Sequence, residues 1–293
     1  DCGEHDPFAA PALNAWPRRA AAIARDAELP PLERALSVIP LLGLDVRHSF
    51  NLDLSVRHDI AAGLLRQNAA LLVAAEPGAR PVHRLLAHAW RPGDDAFADI
   101  VRAALVLCAD HELNVSAFAA RVVASTGAHL HATVCTGLSA LSGPRHGGAT
   151  ARAYALIAEA RDSGRPADHV QARWNRGDDL PGFGHALYPD GDPRASTLLA
   201  MLRTHRGRTA AMRAIDQVIA GGEAASGQRP NIDFLLAATC HVYGLPATPA
   251  LVLFASGRLT GWLAHALEQQ ALGKLIRPRA HYVGAVPEGG APG

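Results

Sequence analysis

From Pro31 to about Ile276 one pattern recurs: apolar side chains at three- and four-residue spacing over a dozen or so positions, with Gly or Pro between the runs. The two-residue alternation of a half-buried strand is almost absent, as are β-branched and aromatic clusters between turns. Such a chain buries its apolar stripes by packing helix on helix, so the fold is predicted to be all-α. In "PPLERALSVIPLLGL", Leu32, Leu36 and Ile39 share a face behind Pro31, a first-turn proline. "VRHDIAAGLLRQNAALLVAAEPG" is expected to stop at Pro77-Gly78. "DDAFADIVRAALVLCADH" opens on Asp94 or Asp95, and "NVSAFAARVVASTG" opens on Asn114 or Ser116 and closes at Gly127. "HLHATVCTGLSALSG" and "ATARAYALIAEARDSG" add one helix each, "ASTLLAMLRTHRGRTAAMRAIDQVIAGG" one or two, and "RPNIDFLLAATCHVYGL" one. "PATPALVLFASGRLTGWLAHALEQQALGKLI" is expected to form two, divided near Gly257. Residues 1–18 read as an irregular lead-in and "PEGGAPG" as a disordered tail.

With 293 residues the chain can form one large domain or two smaller ones. Its 28 basic and 27 acidic residues give a net charge of +1, which leaves no electrostatic footprint for nucleic acid or an anionic membrane. A small-molecule partner is expected instead. Cys2, Cys108, Cys135 and Cys240 are scattered, without CxxC or Cys/His ligand spacing, so neither disulfides nor a metal site is anticipated. Unbroken apolar runs such as "AALVLCA" and "PALVLFA" fall short of the ~20 residues of a membrane span. "DCGEHDPFAAPALNAWPRRA" lacks the basic-then-apolar order of a signal peptide. A cytoplasmic location is the expectation.

Four loops interrupt the helices with similar chemistry. "ADHELNVSA" places His111 before a helix, where it either packs or binds. "LSGPRHGGAT" holds His146 between Gly-Pro and Gly-Gly, residues that let backbone approach another group closely. "PGFGHALYPDGDPR" presents His185, with Arg194 nine residues on. "RPNIDFLLA" puts Asp233 ahead of an apolar run, as an N-cap or as a base. Arg258 in "SGRLTGW" and Arg277 in "RPRAHY" are each solvated, ion-paired or ligand-binding arginines.

Taken together, "DHELNVSAFAARVVAST", "LSGPRHGGA", "GFGHALYPDGDPRA", "PNIDF", "GRLTGWLAHALEQ" and "RPRAHYVG" resemble the successive signature blocks of citrate synthases, in that family's order and over residues 31 to 284. The resemblance implies condensation of an acyl-CoA, usually acetyl-CoA, with oxaloacetate, without a metal or redox cofactor. By this similarity Asp233 is the base that removes a proton from the thioester's methyl group, and His146 donates a hydrogen bond to the thioester oxygen. His185 polarises the oxaloacetate ketone. Arg194, Arg258 and Arg277, with His111, hold its carboxylates, since a guanidinium forks onto a carboxylate through two hydrogen bonds. In the family the last arginine reaches into the partner subunit's site, which implies a homodimer, with "AFAARVVAST" and "LHATVCTGLSAL" as candidates for its face. The resemblance also implies a large helical domain, residues 1–147 and 244–293, and a small one, 148–243, that closes over the substrate.

Some positions depart from the family's pattern. The family has a further N-terminal segment ahead of the region matched by "LERALSVIPLLG", where this chain shows its irregular lead-in. A basic residue that helps hold the CoA nucleotide often follows the third-block histidine; here Ala186 and Pro189 stand there, with Arg229 as a possible substitute. Thr150 replaces a usual Asn or Ser. Two further readings fit the same blocks: a 2-methylcitrate synthase that uses propionyl-CoA, and a non-catalytic protein that binds a dicarboxylate.

Overall fold

A computed structural model describes residues 5–284 apart from 45, 47–49, 52 and 282. Cys2, the start of the lead-in and the "PEGGAPG" tail lie outside the described residues. A 3-10 turn, Pro7–Ala9, is followed by α1 (Arg18–Arg25), α2 (Pro31–Gly43), α3 (Leu54–Leu72), α4 (Val82–Trp90), α5 (Asp95–Cys108), α6 (Val115–Ser125) and α7 (Leu130–Leu141). Then come α8 (Gly148–Asp162), α9 (Pro166–Asn175), α10 (Pro193–Arg206), α11 (Ala210–Ser226), α12 (Ile232–Val242) and α13 (Thr248–Leu272). Only two isolated bridges break the helical content of the described residues. The chain is all-α.

The caps follow the sequence signals. Asp94 accepts from the Phe97 N–H, Asn114 from the Ala117 N–H, and Pro31 occupies the first turn of α2. α3 ends at Leu72 with Val73 as its C-cap, short of Pro77-Gly78, where Ala74 turns to φ 52°. α4 and α9 are additions to the sequence reading. The stretch after the third loop divides at Gly207 into α10 and α11.

One expectation fails. Residues 248–272 form a single helix rather than two divided near Gly257. Gly257 does not break α13; it lets the helix lie directly on α5. A Cβ there would stand 2.7 Å from the Leu105 carbonyl oxygen and 2.9 Å from Cys108 Cβ. Gly257→Ala is therefore expected to destabilise the fold by about 1–3 kcal/mol through overpacking, measurable as a lower urea midpoint; an unchanged midpoint would show that α5 yields freely.

α13 is also long and apolar enough to cross a membrane by length and composition, yet most of it is buried in the protein, against α5, α6 and α7. It is the core helix of this layer, with Trp262 and Leu259 wholly enclosed. α2 packs on α7, α3 on α13 and α4 on α5, with α1 on α2, whereas α8–α12 form a second group: α9 on α11, and α12 on α8 and α10. α12 meets α13 and α10 meets α5, so the two groups join where the four loops lie.

Candidate active site

Six of the seven residues singled out in the sequence converge. His111 sits on the turn between α5 and α6, beside Glu112 at φ 51°. Its ring meets that of His185 edge-on, 5.1 Å between centroids. His185 lies on the loop before α10, and its Nδ1 accepts the Leu187 N–H at 3.1 Å. That bond leaves the proton of the neutral ring on Nε2. The loop is strapped to the start of α12: Gly184 N–H donates to the Arg229 carbonyl at 2.8 Å, and Asn231 N–H to the Gly182 carbonyl at 2.8 Å. Gly182, at φ 88°, is needed here because a Cβ would stand 2.7 Å from Phe234 Cβ.

The same Asn231 relieves Asp233 of capping. Its side chain caps α12, accepting from the N–H groups of Asp233 and Phe234. Asp233 therefore sits in the first turn with its carboxylate uncommitted: no hydrogen bond or ion pair among the described residues engages it. Burial pushes its pKa up to about 6, with Arg194 and Arg258 opposing and Asp192 reinforcing the rise. A half-buried carboxyl with its pKa raised to about 6 and no structural duty has the properties of a general base.

His146 ends the α7–α8 connection. Gly147 donates back to the Leu141 carbonyl at 3.1 Å, and a Cβ on Gly147 would come within 2.2 Å of that oxygen. The glycine thus allows the chain to fold tightly enough to hold the imidazole in place. His146 Nε2 lies 2.8 Å from Ser116 Oγ, which also accepts from Trp262 Nε1 at 3.1 Å. The ring packs edge-on against Phe254 at 5.7 Å. Burial lowers its pKa and Arg258 lowers it further, so the ring is neutral at pH 7. His111 is depressed to about 4, by burial first and then by Arg194, His185 and Arg258. His185 is lowered by burial and Arg194, with Asp192 opposing. Each of the three imidazoles is acted on by Arg194 or Arg258, the two guanidiniums that also act on Asp233.

The two arginines are held differently. Arg194 forks onto Asp192 through Nε at 2.9 Å and Nη2 at 2.8 Å. Asp192, 2% exposed, also accepts the Ile232 N–H at 2.9 Å, which ties α10 to α12. Burial alone would raise the Asp192 pKa; the bonds from Arg194 and Ile232 hold it below the carboxylate range. Arg258 is 1% exposed and has no carboxylate within ion-pair distance. It donates from Nε to the Cys108 carbonyl at 2.8 Å and lies over the Phe254 ring, but Nη1 is buried without a partner. A buried, unsatisfied guanidinium costs stability unless an anion meets it.

Arg277 is not brought to this cluster. It stands exposed on the segment after α13, with no hydrogen bond or ion pair to the other described residues. Ala186, Pro189 and Arg229 are exposed as well. Sequence reasoning missed Asp192 and Ser116 as site residues. The Asp-Pro pair at the start of α10 marks Asp192 as a cap, and Ser116 was read only as an alternative cap for α6. No local signal reveals the bonds each makes across space.

This arrangement can take up an anion at the guanidiniums, remove a proton at Asp233 and donate hydrogen bonds from neutral imidazoles. Comparisons with known proteins point the same way. The family model described as "Citrate synthase, C-terminal domain" matches residues 48–279. The chain belongs to the citrate synthase family. It is similar to citrate synthase 2 of Bacillus subtilis, 35% identical over 184 residues, which is 62% of this chain and 50% of that protein. It is also similar to the 2-methylcitrate synthase of Shewanella oneidensis, 36% identical over 195 residues, 64% of this chain and 51% of that one. The chain spans about half the length of these curated relatives. Among solved structures, it is similar to the citrate synthase of Thermoplasma acidophilum in ternary complex with carboxymethyl coenzyme A and oxaloacetate: TM-score 0.77, 25% identity, 94% of this chain and 79% of that one.

Proposed function

We propose that the protein condenses acetyl-CoA with oxaloacetate to give citrate and free CoA. The observation that carries this reading is Asp233: a half-buried carboxyl, relieved of capping by Asn231 and raised to about 6, with Arg194 and Arg258 acting on it. Oxaloacetate is a dianion with a ketone. Arg258, with its unpartnered Nη1, and the Nη1 that Arg194 leaves outside its fork on Asp192 are the donors for its carboxylates, together with His111. His185 Nε2–H donates to the ketone oxygen.

Asp233 then takes a proton from the methyl carbon of the thioester. Ser116 Oγ accepts from Trp262 and lies 2.9 Å from Asn114 Oδ1 and 2.8 Å from His146 Nε2, so its single proton serves one of these two. His146 donates to the thioester oxygen as the enol forms, from Nδ1–H once the Ser116 proton turns from Asn114 to Nε2. The enol carbon attacks the ketone carbon, His185 gives its proton to the new alkoxide, and water cleaves the citryl thioester to release the CoA thiol. No metal or redox group enters this scheme.

The assembly we propose follows the family. Residues 148–243 form a small domain that closes over oxaloacetate, and Arg277 completes the site of a second copy. The apolar side chains of α6, with Val115 and Phe118 exposed, support α6 and α7 as the dimer face. Cys108, Cys135 and Cys240 are unpaired thiols, which suits the reducing cytoplasm we propose as its location.

Near-equal identity to a citrate synthase and a 2-methylcitrate synthase favours a second reading in which propionyl-CoA is the acyl donor. One methylene changes discrimination by only ~1–3 kcal/mol. Steady-state rates decide between them: kcat/KM is expected to be higher with acetyl-CoA, and a higher value with propionyl-CoA would replace the first reading with the second.

A further inference from the structure

Tyr188 touches both substrate-side histidines and has no place in the chemistry above. Its hydroxyl lies 2.9 Å from His111 Nε2. Its ring stands 5.3 Å from that of His111 and 5.0 Å from that of His185, centroid to centroid. The phenol reaches His111 from the loop before α10, whereas His111 belongs to the α5–α6 turn. The bond therefore links the two helical groups at the site itself. At its own end Tyr188 is fixed by the turn after His185: Tyr188 N–H donates to the His185 carbonyl at 3.1 Å, and Gly191 N–H to the Tyr188 carbonyl at 3.1 Å.

We propose that Tyr188 is a positioning residue that sets the tautomer of His111 by donating its O–H to Nε2. The inference rests on the oxaloacetate reading of the site. Oxaloacetate offers only acceptors, two carboxylates and a ketone, so an imidazole that holds it must present a donor. Neutral His111 has one N–H and one lone pair. Nε2 is occupied by Tyr188, and no group among the described residues engages Nδ1. If Tyr188 donates, Nε2 supplies the lone pair and Nδ1 becomes the N–H that meets the substrate. The reverse arrangement, with Nε2–H donating to the phenol, would turn a lone pair toward an anion.

Leu187 performs the same duty for His185 through its backbone N–H, although there the proton is sent to Nε2. Each imidazole has one nitrogen committed to the protein and the other kept as a donor. The two commitments come from adjacent residues, Leu187 and Tyr188, so one short loop orients both rings.

The test is Tyr188→Phe in the full chain, which keeps the ring and removes the hydroxyl. The KM for oxaloacetate is expected to rise about tenfold, the size of one lost hydrogen bond, with little change in the KM for acyl-CoA. The 15N shifts of the His111 ring, assigned with His111→Asn, are expected to show a single Nδ1–H tautomer in the wild type and a mixture in the variant. A merely structural phenol would lower thermal stability without moving the tautomer. Nε2–H at His111 in the wild type, or an unmoved tautomer together with an unmoved KM in Tyr188→Phe, would overturn the proposal. The ring shifts are read without substrate. A chain that failed to turn over oxaloacetate would refute the function proposed above, and the tautomer would still give its own answer.

Discussion

Replacing Asp233 with Asn is expected to lower kcat by about 10²–10⁴-fold, with the helical signal in circular dichroism unchanged. The substitution is nearly isosteric, and because Asn231 supplies the cap, α12 loses no structural bond. Removal of the base is thus separated from damage to the fold. The wild-type pH profile should carry the same signature. With Asp233 at about 6 and His111 at about 4, kcat/KM is expected to climb as pH rises through about 6, as Asp233 ionises, and His111 stays neutral throughout that limb. In Asp233→Asn the residual activity should lose this limb.

The same shift has a consequence for stability. An acid whose folded pKa lies above its unfolded value opposes folding once it ionises. The penalty is absent below the unfolded value near 3.8, grows between there and about 6, and is constant above. Asp233→Asn should therefore be more stable than the wild type at pH 8, by up to about 3 kcal/mol, and close to it at pH 4. Urea unfolding at the two pH values measures this directly, and equal stability differences at both would contradict a raised carboxyl.

Arg258→Met should have an opposite pair of effects on binding and stability. The guanidinium is enclosed in the core of the α5–α13 layer with one backbone hydrogen bond and a buried, unpartnered Nη1. A thioether of similar length removes a buried charge, and such replacements are commonly neutral or stabilising. The thermal midpoint of the ligand-free protein is expected to hold or rise. Oxaloacetate affinity is expected to fall at least about 30-fold, since losing one partner of a desolvated ion pair costs 2–5 kcal/mol or more. Calorimetric titration of oxaloacetate reads the second effect. A variant that bound oxaloacetate as tightly as the wild type would remove Arg258 from the site.

How much of this was legible in the sequence depends on whether the information is local. Helices that bury many positions, such as α5 and α12, announce themselves through their period. α4 buries only Leu86 and Ala87, and α9 only Pro166 and Val170, so neither leaves a readable stripe. Gly257 misled because a glycine that breaks a helix and one that admits a neighbouring helix look alike in one dimension. At the site, the glycines around His146 and His185 did signal close approach, and Gly147 against Leu141 and Gly182 against Phe234 are those contacts. Asp233 was ambiguous between cap and base because the residue that caps in its place, Asn231, stands only two positions earlier. Asp192, Ser116 and Tyr188 act through partners 30 to 77 residues away, which no local pattern encodes.

The central claim is that this site removes a proton from an acyl-CoA at Asp233 in order to join it to oxaloacetate. The most direct measurement is the rate of CoA thiol release from acetyl-CoA, with and without oxaloacetate, by the wild type and by Asp233→Asn. The account predicts release that requires both oxaloacetate and Asp233, with citrate formed in equal amount. Release indifferent to oxaloacetate, or a wild-type rate no faster than that of Asp233→Asn, would contradict it.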